Sequence, residues 1–310
     1  MTIDWPEGKA FAFTIVDDTD ESTLENTKPV YDLLIELGIR TTKTVWPLAP
    51  TRTPKYGGET LQDAAYRAWV LDLQRRGFEI ALHGITDHAS ERHEVEKGLA
   101  YFRAVTGSDP RMHVNHDGQA EGMYWGDARL DGWMRVVYRL ANRLARQDRR
   151  YYGHDPESPY YWGDICRDRI EYVRNFVYSD INTLAQDSMM PYHDPERPFV
   201  RYWYSGSNGA EIGPCLTLLS EENQDRLVSE GGACIAYTHF ALGFVRDGAL
   251  DPRFESLMRR LASLGGWFVP ASTLLDHMRT RPGWTPQADP AILRRMKRRF
   301  LMSRLGSGTA

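Results

Sequence analysis

Ala12-Phe13-Thr14-Ile15-Val16-Asp17-Asp18-Thr19-Asp20 is an apolar, β-branched run that ends abruptly in three carboxylates. Lacking strict alternation of apolar and polar residues, it reads as a strand buried on both faces, the pattern of a parallel sheet. Its acids then sit at the C-terminal tip, where the loops of parallel α/β architectures surround one shared crevice. Asp-Asp-Thr-Asp is also good chemistry for a turn or a helix cap. Function enters only if other polar groups end neighbouring strands.

Working outward, Ser22 to Gly38 carries Leu24, Val30, Leu33, Leu34 and Leu37 at helical spacing and stops at a glycine. Ile39 to Trp46 is β-rich, Leu61 to Gly77 returns to helix, and Phe78 to His83 is a third strand. This βαβ rhythm implies a parallel sheet with right-handed crossovers. Further on, Glu91 to Val105 reads as helix and Met112 to Asn115 as a short strand leading into His116-Asp117-Gly118. Residues 119–169 interrupt the rhythm with an amphipathic helix, Trp133 to Asp148, and an aromatic loop, Tyr151 to Trp162. They read as an insertion over one end of a barrel, a lid or substrate wall. Ile170 to Tyr178, Phe199 to Tyr204, Ala233 to His239 and Trp267 to Val269 are the remaining strands, with helices at Ser220 to Gly231 and Phe254 to Leu264.

The chain has 310 residues, 42% hydrophobic and 26% charged, enough for a sizeable core in one barrel-type domain. A net charge of -4 gives no support for a nucleic-acid binder. Cys166, Cys215 and Cys234 are odd in number and far apart, which argues for free thiols in a reducing compartment. With no secretory signal at the N-terminus and no apolar segment of membrane-spanning length, a cytoplasmic location is expected. The tail, residues 285–310, differs: Ala291 to Leu305 is helical in pattern and strongly basic. It reads either as an interfacial helix resting on anionic lipid at the inner membrane face, or as a terminal helix docked on the barrel with a solvated basic face. Its shortness favours docking.

Three groups of residues carry chemistry. Asp17 and Asp18 end one strand, His83 ends another, and His88 follows in the next loop. One carboxylate with two histidines gives a three-ligand divalent site with a position open for water. The neighbouring acid would then remove the water proton. His93 competes with His88 as the second histidine.

A strand ending Asp-Asp, a strand ending His83-Gly84 with a second histidine just after, and the late strand Cys234-Ile235-Ala236-Tyr237-Thr238-His239 together resemble the polysaccharide deacetylase family. Trp267-Phe268-Val269-Pro270, followed by Leu274 to Met278, also looks like that family's closing segment, so the likeness spans roughly Phe11 to Arg279. It implies a distorted (β/α) barrel of about seven parallel strands over residues 1–284. It also implies a divalent metal, zinc by preference, and removal of N-acetyl groups from sugars. Carried over by residue, Asp17 matches the general base, Asp18 the metal-binding Asp, His83 and His88 the metal-binding histidines, and His239 the general acid. Asp180 is the candidate to orient His239, with Asp164 behind it.

Two departures stand out. Four residues separate His83 from His88 where the family has three. The family's arginine-bearing motif after the fourth strand is replaced by Val114-Asn115-His116-Asp117-Gly118. Asn115 or His116 is then expected to line the site, with Trp125 and Trp162 among the aromatic residues offering stacking faces to a sugar. His116, Arg174 and Arg201 are candidates for recognising phosphate or carboxylate. The expected substrate is an N-acetylated saccharide: a sugar nucleotide, a glycan precursor or, as the basic tail would favour, a lipid-linked intermediate. The alternatives are hydrolysis of a small non-sugar amide and a carbohydrate-binding or scaffolding protein whose metal site has decayed. An iron(II) oxygenase triad fits two histidines and one Asp, but the parallel α/β rhythm argues against it.

Overall fold

The computed structural model describes residues 3–145 and 149–307. Seven strands run parallel in sequential order: β1 (Ala12–Asp17), β2 (Thr42–Val45), β3 (Glu79–Leu82), β4 (Met112–His113), β5 (Tyr172–Tyr178), β6 (Tyr202–Asn208) and β7 (Ala233–Thr238). The sheet closes on itself where β1 pairs with β7, in register from Ala12 opposite Ala233 to Asp17 opposite Thr238. The short strand Trp267–Phe268 pairs with the start of β1, at Ala12 and Phe13, whereas β2 pairs with its end, at Val16 and Asp17. The distorted parallel (β/α) barrel expected from the sequence is the observed fold.

Period-two alternation sorts each strand between two buried layers. Phe13 and Ile15 of β1, Val45 of β2, and Ile80 and Leu82 of β3 pack with helix residues such as Val30, Tyr31, Val70 and Leu99. Ala12 and Val16, Ala81, Met112, Val114, Tyr172, Tyr204, Ala233 and Ile235 instead form an inner cluster with Leu274, Leu275 and Met278. Each fully buried large side chain contributes roughly 1.5–3 kcal/mol. Three helices, α1 (Leu24–Glu36), α2 (Ala64–Arg75) and α3 (Arg92–Thr106), follow the first three strands. The start of α1 is fixed by a capping box, in which Thr23 accepts from the Asn26 amide and Asn26 from the Thr23 amide.

Boundaries differ from the sequence reading at the aromatic-rich end. β6 begins at Tyr202 and runs on to Asn208, because its polar half, Ser205 to Asn208, is carried by neighbours on both sides. Between β4 and β5 lies a helix α4 (Gly132–Leu144); residues 146–148, the end of the helix expected there, lie outside the described residues. The C-terminal helix Pro290–Ser307 packs Leu293, Met296, Phe300 and Leu301 into the core, with Phe300 against Phe176 and Tyr138 at ring distances of 5.0 and 6.1 Å. Its apolar side thus faces protein; the last residues of the tail, 308–310, lie outside the described residues. No helix among the described residues is long and apolar enough to cross a membrane.

Candidate active site

The alternation that sorts the core also selects the site. Asp18 continues the inner side of Ala12 and Val16, His83 that of Ala81, His116 that of Met112 and Val114, Arg174 that of Tyr172, and Tyr237 and His239 that of Ala233 and Ile235. All six line one cavity of about 210 Å³ with Asp20, Asn115, Trp125, Arg129 and Phe300 among its other walls. After His83 the chain turns at Gly84, which has φ +73°; a Cβ there would stand 2.5 Å from Gln119 Oε1, so glycine is required.

At the floor of the cavity Asp20, His83 and His116 each turn one ligand atom inward, all within 4.8 Å of one another. Asp20 Oδ1 lies 2.9 Å from His116 Nε2 and 3.4 Å from His83 Nε2. None of these three buried atoms has an aligned hydrogen bond. Buried polar groups left this way are costly, and one carboxylate with two imidazoles is a donor set suited to a divalent cation with open coordination positions. The residues therefore fit the divalent metal that the sequence resemblance implies. Asp87 Oδ1, also buried without a hydrogen bond, stands 3.8 Å from His116 Nε2, while its Oδ2 accepts the amides of Tyr56 and Gly57 at 2.6 Å each.

Beside this cluster Arg174 holds Asp18 in a two-pronged bond, with Nη1 and Nη2 donating to Oδ1 and Oδ2 at 2.9 and 2.6 Å. Burial would raise the Asp18 carboxyl, but the guanidinium charge and hydrogen bonds prevail and hold it below the ordinary value. His239 completes the ring. Its Nε2 lies 2.9 Å from Asp20 Oδ2 and its Nδ1 2.7 Å from the Ala210 carbonyl, both acceptors, so both ring nitrogens carry protons. Burial opposes that charge, yet the bond to Asp20 and the nearby Asp18 push His239 up to about 9.

Several expected positions are corrected. Asp17 does not face the cavity: it lies on the Phe13 and Ile15 side, where it pairs with Lys43 at 2.9 Å and accepts from Tyr31 Oη at 3.0 Å and the Phe240 amide at 2.9 Å. Asp18 and Asp20 are the acids of this strand tip that reach the cavity. His88 is buried but turned away from the cavity, its Nε2 accepting from the Thr51 amide at 3.1 Å and its Nδ1 against the Ala89 carbonyl. The intervening Asp87 anchors the loop, and His116 stands where a second histidine was sought. His93 is exposed at the start of α3. Asp180 binds Arg226 and caps Asn182, so the Ala210 carbonyl, and not Asp180, fixes the His239 ring. Asp164 pairs with Arg92. Trp162 donates to the Glu121 carbonyl and packs edge-on against His113, away from the cavity. Asn115 and Trp125 do reach it. Of the arginines considered, Arg174 on β5 reaches the cavity and binds Asp18, whereas Arg201 bonds carbonyls at Arg167 and Asp168.

No protein-family model and no curated protein matches the sequence. Solved structures do. A Mycobacterium smegmatis protein described as a polysaccharide deacetylase superposes with a TM-score of 0.51 at 14% identity, covering 93% of this chain and 96% of that one. The allantoinase PuuE superposes with a TM-score of 0.51 at 12% identity, covering 91% and 94%. The chain thus has the polysaccharide deacetylase barrel fold over nearly its whole length, a fold that an allantoinase shares.

Proposed function

We propose that this chain is a metal-dependent amide hydrolase that removes an acetyl group from an N-acetylated saccharide. The observation that carries the reading is the convergence, in one cavity, of an arginine-held carboxylate, an Asp-His-His cluster without aligned internal hydrogen bonds and a histidine whose two ring nitrogens both face acceptors. A divalent cation held by Asp20, His83 and His116, zinc by the donor set, supplies Lewis acidity toward water and the amide carbonyl. Asp18, kept ionised by Arg174, takes the proton of the attacking water. His239, carrying protons on both nitrogens, delivers one to the departing amine. Trp125 and Phe300 line the cavity, each with the Arg129 guanidinium over its ring at 3.9 and 4.3 Å, and their remaining apolar surface suits the acetyl methyl or the edge of a sugar ring.

The cavity is small, about 210 Å³, and roughly 300–1,000 Å³ is usual for ligand pockets. This supports a single acetylated unit, such as a sugar nucleotide or a lipid-linked sugar, over the middle of a polymer. The same size supports a second reading, hydrolysis of a small non-sugar amide on this scaffold. Three buried free cysteines support a reducing, cytoplasmic setting.

The test is acetate release by the zinc-loaded protein from N-acetylhexosamines and their nucleotide-linked forms, with Asp18→Asn as control. Release lost in the control supports the first reading. Bound zinc without release from any acetylated sugar moves the assignment to a small amide, and failure to bind zinc overturns both.

A further inference from the structure

Among the described residues, helix α4 leaves one side without a partner. Met134 and Tyr138 are buried, while Trp133, Val136, Leu140 and Leu144 are 59%, 56%, 56% and 86% exposed. Their spacing of three, four and four residues places them in one apolar stripe along the helix. The C-terminal helix borders it: Trp133 shares a groove with Arg294 and Arg298, and Met302 and Leu305 are exposed further along that helix. A stripe of this length on a monomer's surface calls for an occupant.

The charge around it indicates which one. Arg294 and Arg298 in the groove, and Arg143 beside Leu140, are exposed and form no ion pair among the described residues. The acids nearest the groove are largely neutralised within the protein: Asp131 pairs with Arg197 and Lys297, and Asp194 with Arg197, leaving Glu196. A chain of net charge -4 therefore places, beside its exposed apolar stripe, arginines that form no ion pair among the described residues. Apolar side chains including a Trp, rimmed by arginine, match the boundary between acyl chains and anionic headgroups. We infer that α4 and the adjoining edge of the C-terminal helix form a docking face for an anionic lipid bilayer, with α4 supplying the apolar contact and the C-terminal helix the cations. The inference is independent of the reaction assigned to the cavity.

The experiment is co-sedimentation of the full chain with phosphatidylcholine vesicles, with and without phosphatidylglycerol, beside light scattering without lipid. Two variants are compared, Leu140→Ser with Leu144→Ser, and Arg294→Glu with Arg298→Glu, each checked for an unchanged circular-dichroism spectrum. The expected result is binding only to the phosphatidylglycerol vesicles, weakened by salt and reduced about tenfold or more by each pair of substitutions. Failure of the wild type to sediment with anionic vesicles overturns the inference, as does sedimentation indifferent to both variants. A lipid-free dimer that Leu140→Ser with Leu144→Ser dissociates would assign the stripe to a second copy of the chain instead.

Discussion

Asp17 and Asp18 are neighbours in the chain, yet their carboxylates lie on opposite sides of the barrel wall, one neutralising Lys43 beneath α1 and the other gripped by Arg174 inside the cavity. The strand's alternation alone separates a structural acid from a chemical one. Substitution should separate them too. Asp17→Asn leaves the Lys43 ammonium buried without its counter-charge, at a cost of about 3–5 kcal/mol. Urea unfolding should show that loss, with turnover retained by the folded fraction. Asp18→Asn should keep its zinc and lose about 100- to 10,000-fold in turnover.

Metal retention discriminates among the histidines. His83→Ala, His116→Ala and Asp20→Ala should each come through gel filtration without zinc, whereas His88→Ala should keep a full complement, since its ring is engaged with Thr51 and Ala89. Elemental analysis reads the difference. Zinc lost from His88→Ala and kept by His116→Ala would reverse the assignment.

Arg174 holds the Asp18 carboxyl down, so its removal should be visible as a function of pH. In the role proposed for it Asp18 acts only when ionised, so the acid limb of kcat/KM should fall as pH drops through its pKa. Arg174→Met removes the main influence that lowers that pKa, so the limb should move to higher pH, with kcat lower throughout. An unmoved limb would remove Asp18 from the role of base.

Glu121, at the start of the segment between β4 and β5, is pushed up by burial from 4.5 to about 8. The folded protein then holds a proton that the unfolded chain releases. This group's contribution to stability is full below 4.5 and is lost as pH rises through about 8. Stability should fall by a few kcal/mol between about pH 5 and about pH 9, and Glu121→Gln should flatten that part of the profile. Urea titrations across the range measure both.

The fold was legible because buried parallel strands declare themselves as short apolar runs between helices, and most such runs here became barrel strands. The site was legible in part. His83, His239 and the acids after β1 end strands, and strand ends were where chemistry was sought. Which acids of Asp17-Asp18-Thr19-Asp20 face the cavity follows only when the alternation is carried through the tip: from Ala12, Thr14 and Val16 the next inner positions are Asp18 and Asp20. The same count from Met112 and Val114 leads to His116, and from Tyr172 to Arg174. The Asp17–Lys43 pair was harder to see, since a charged residue within β2 gives no sign of its partner until the barrel closes. His88 misled because its loop turns back on itself to bind Thr51, a fold of five residues that spacing alone does not reveal.

The seam between β1 and β7 bears on how the molecule comes into being. His239 reaches Asp20 across 219 residues of sequence, and Arg174 reaches Asp18 across 156. Contacts so distant along the chain form late and make folding slow. A partly folded chain can hold several native helices and strand pairs while its reactive groups are still scattered. The proposed reactivity would thus be withheld until the cylinder is complete, and its onset during refolding would report closure of that seam more directly than any measure of helix content.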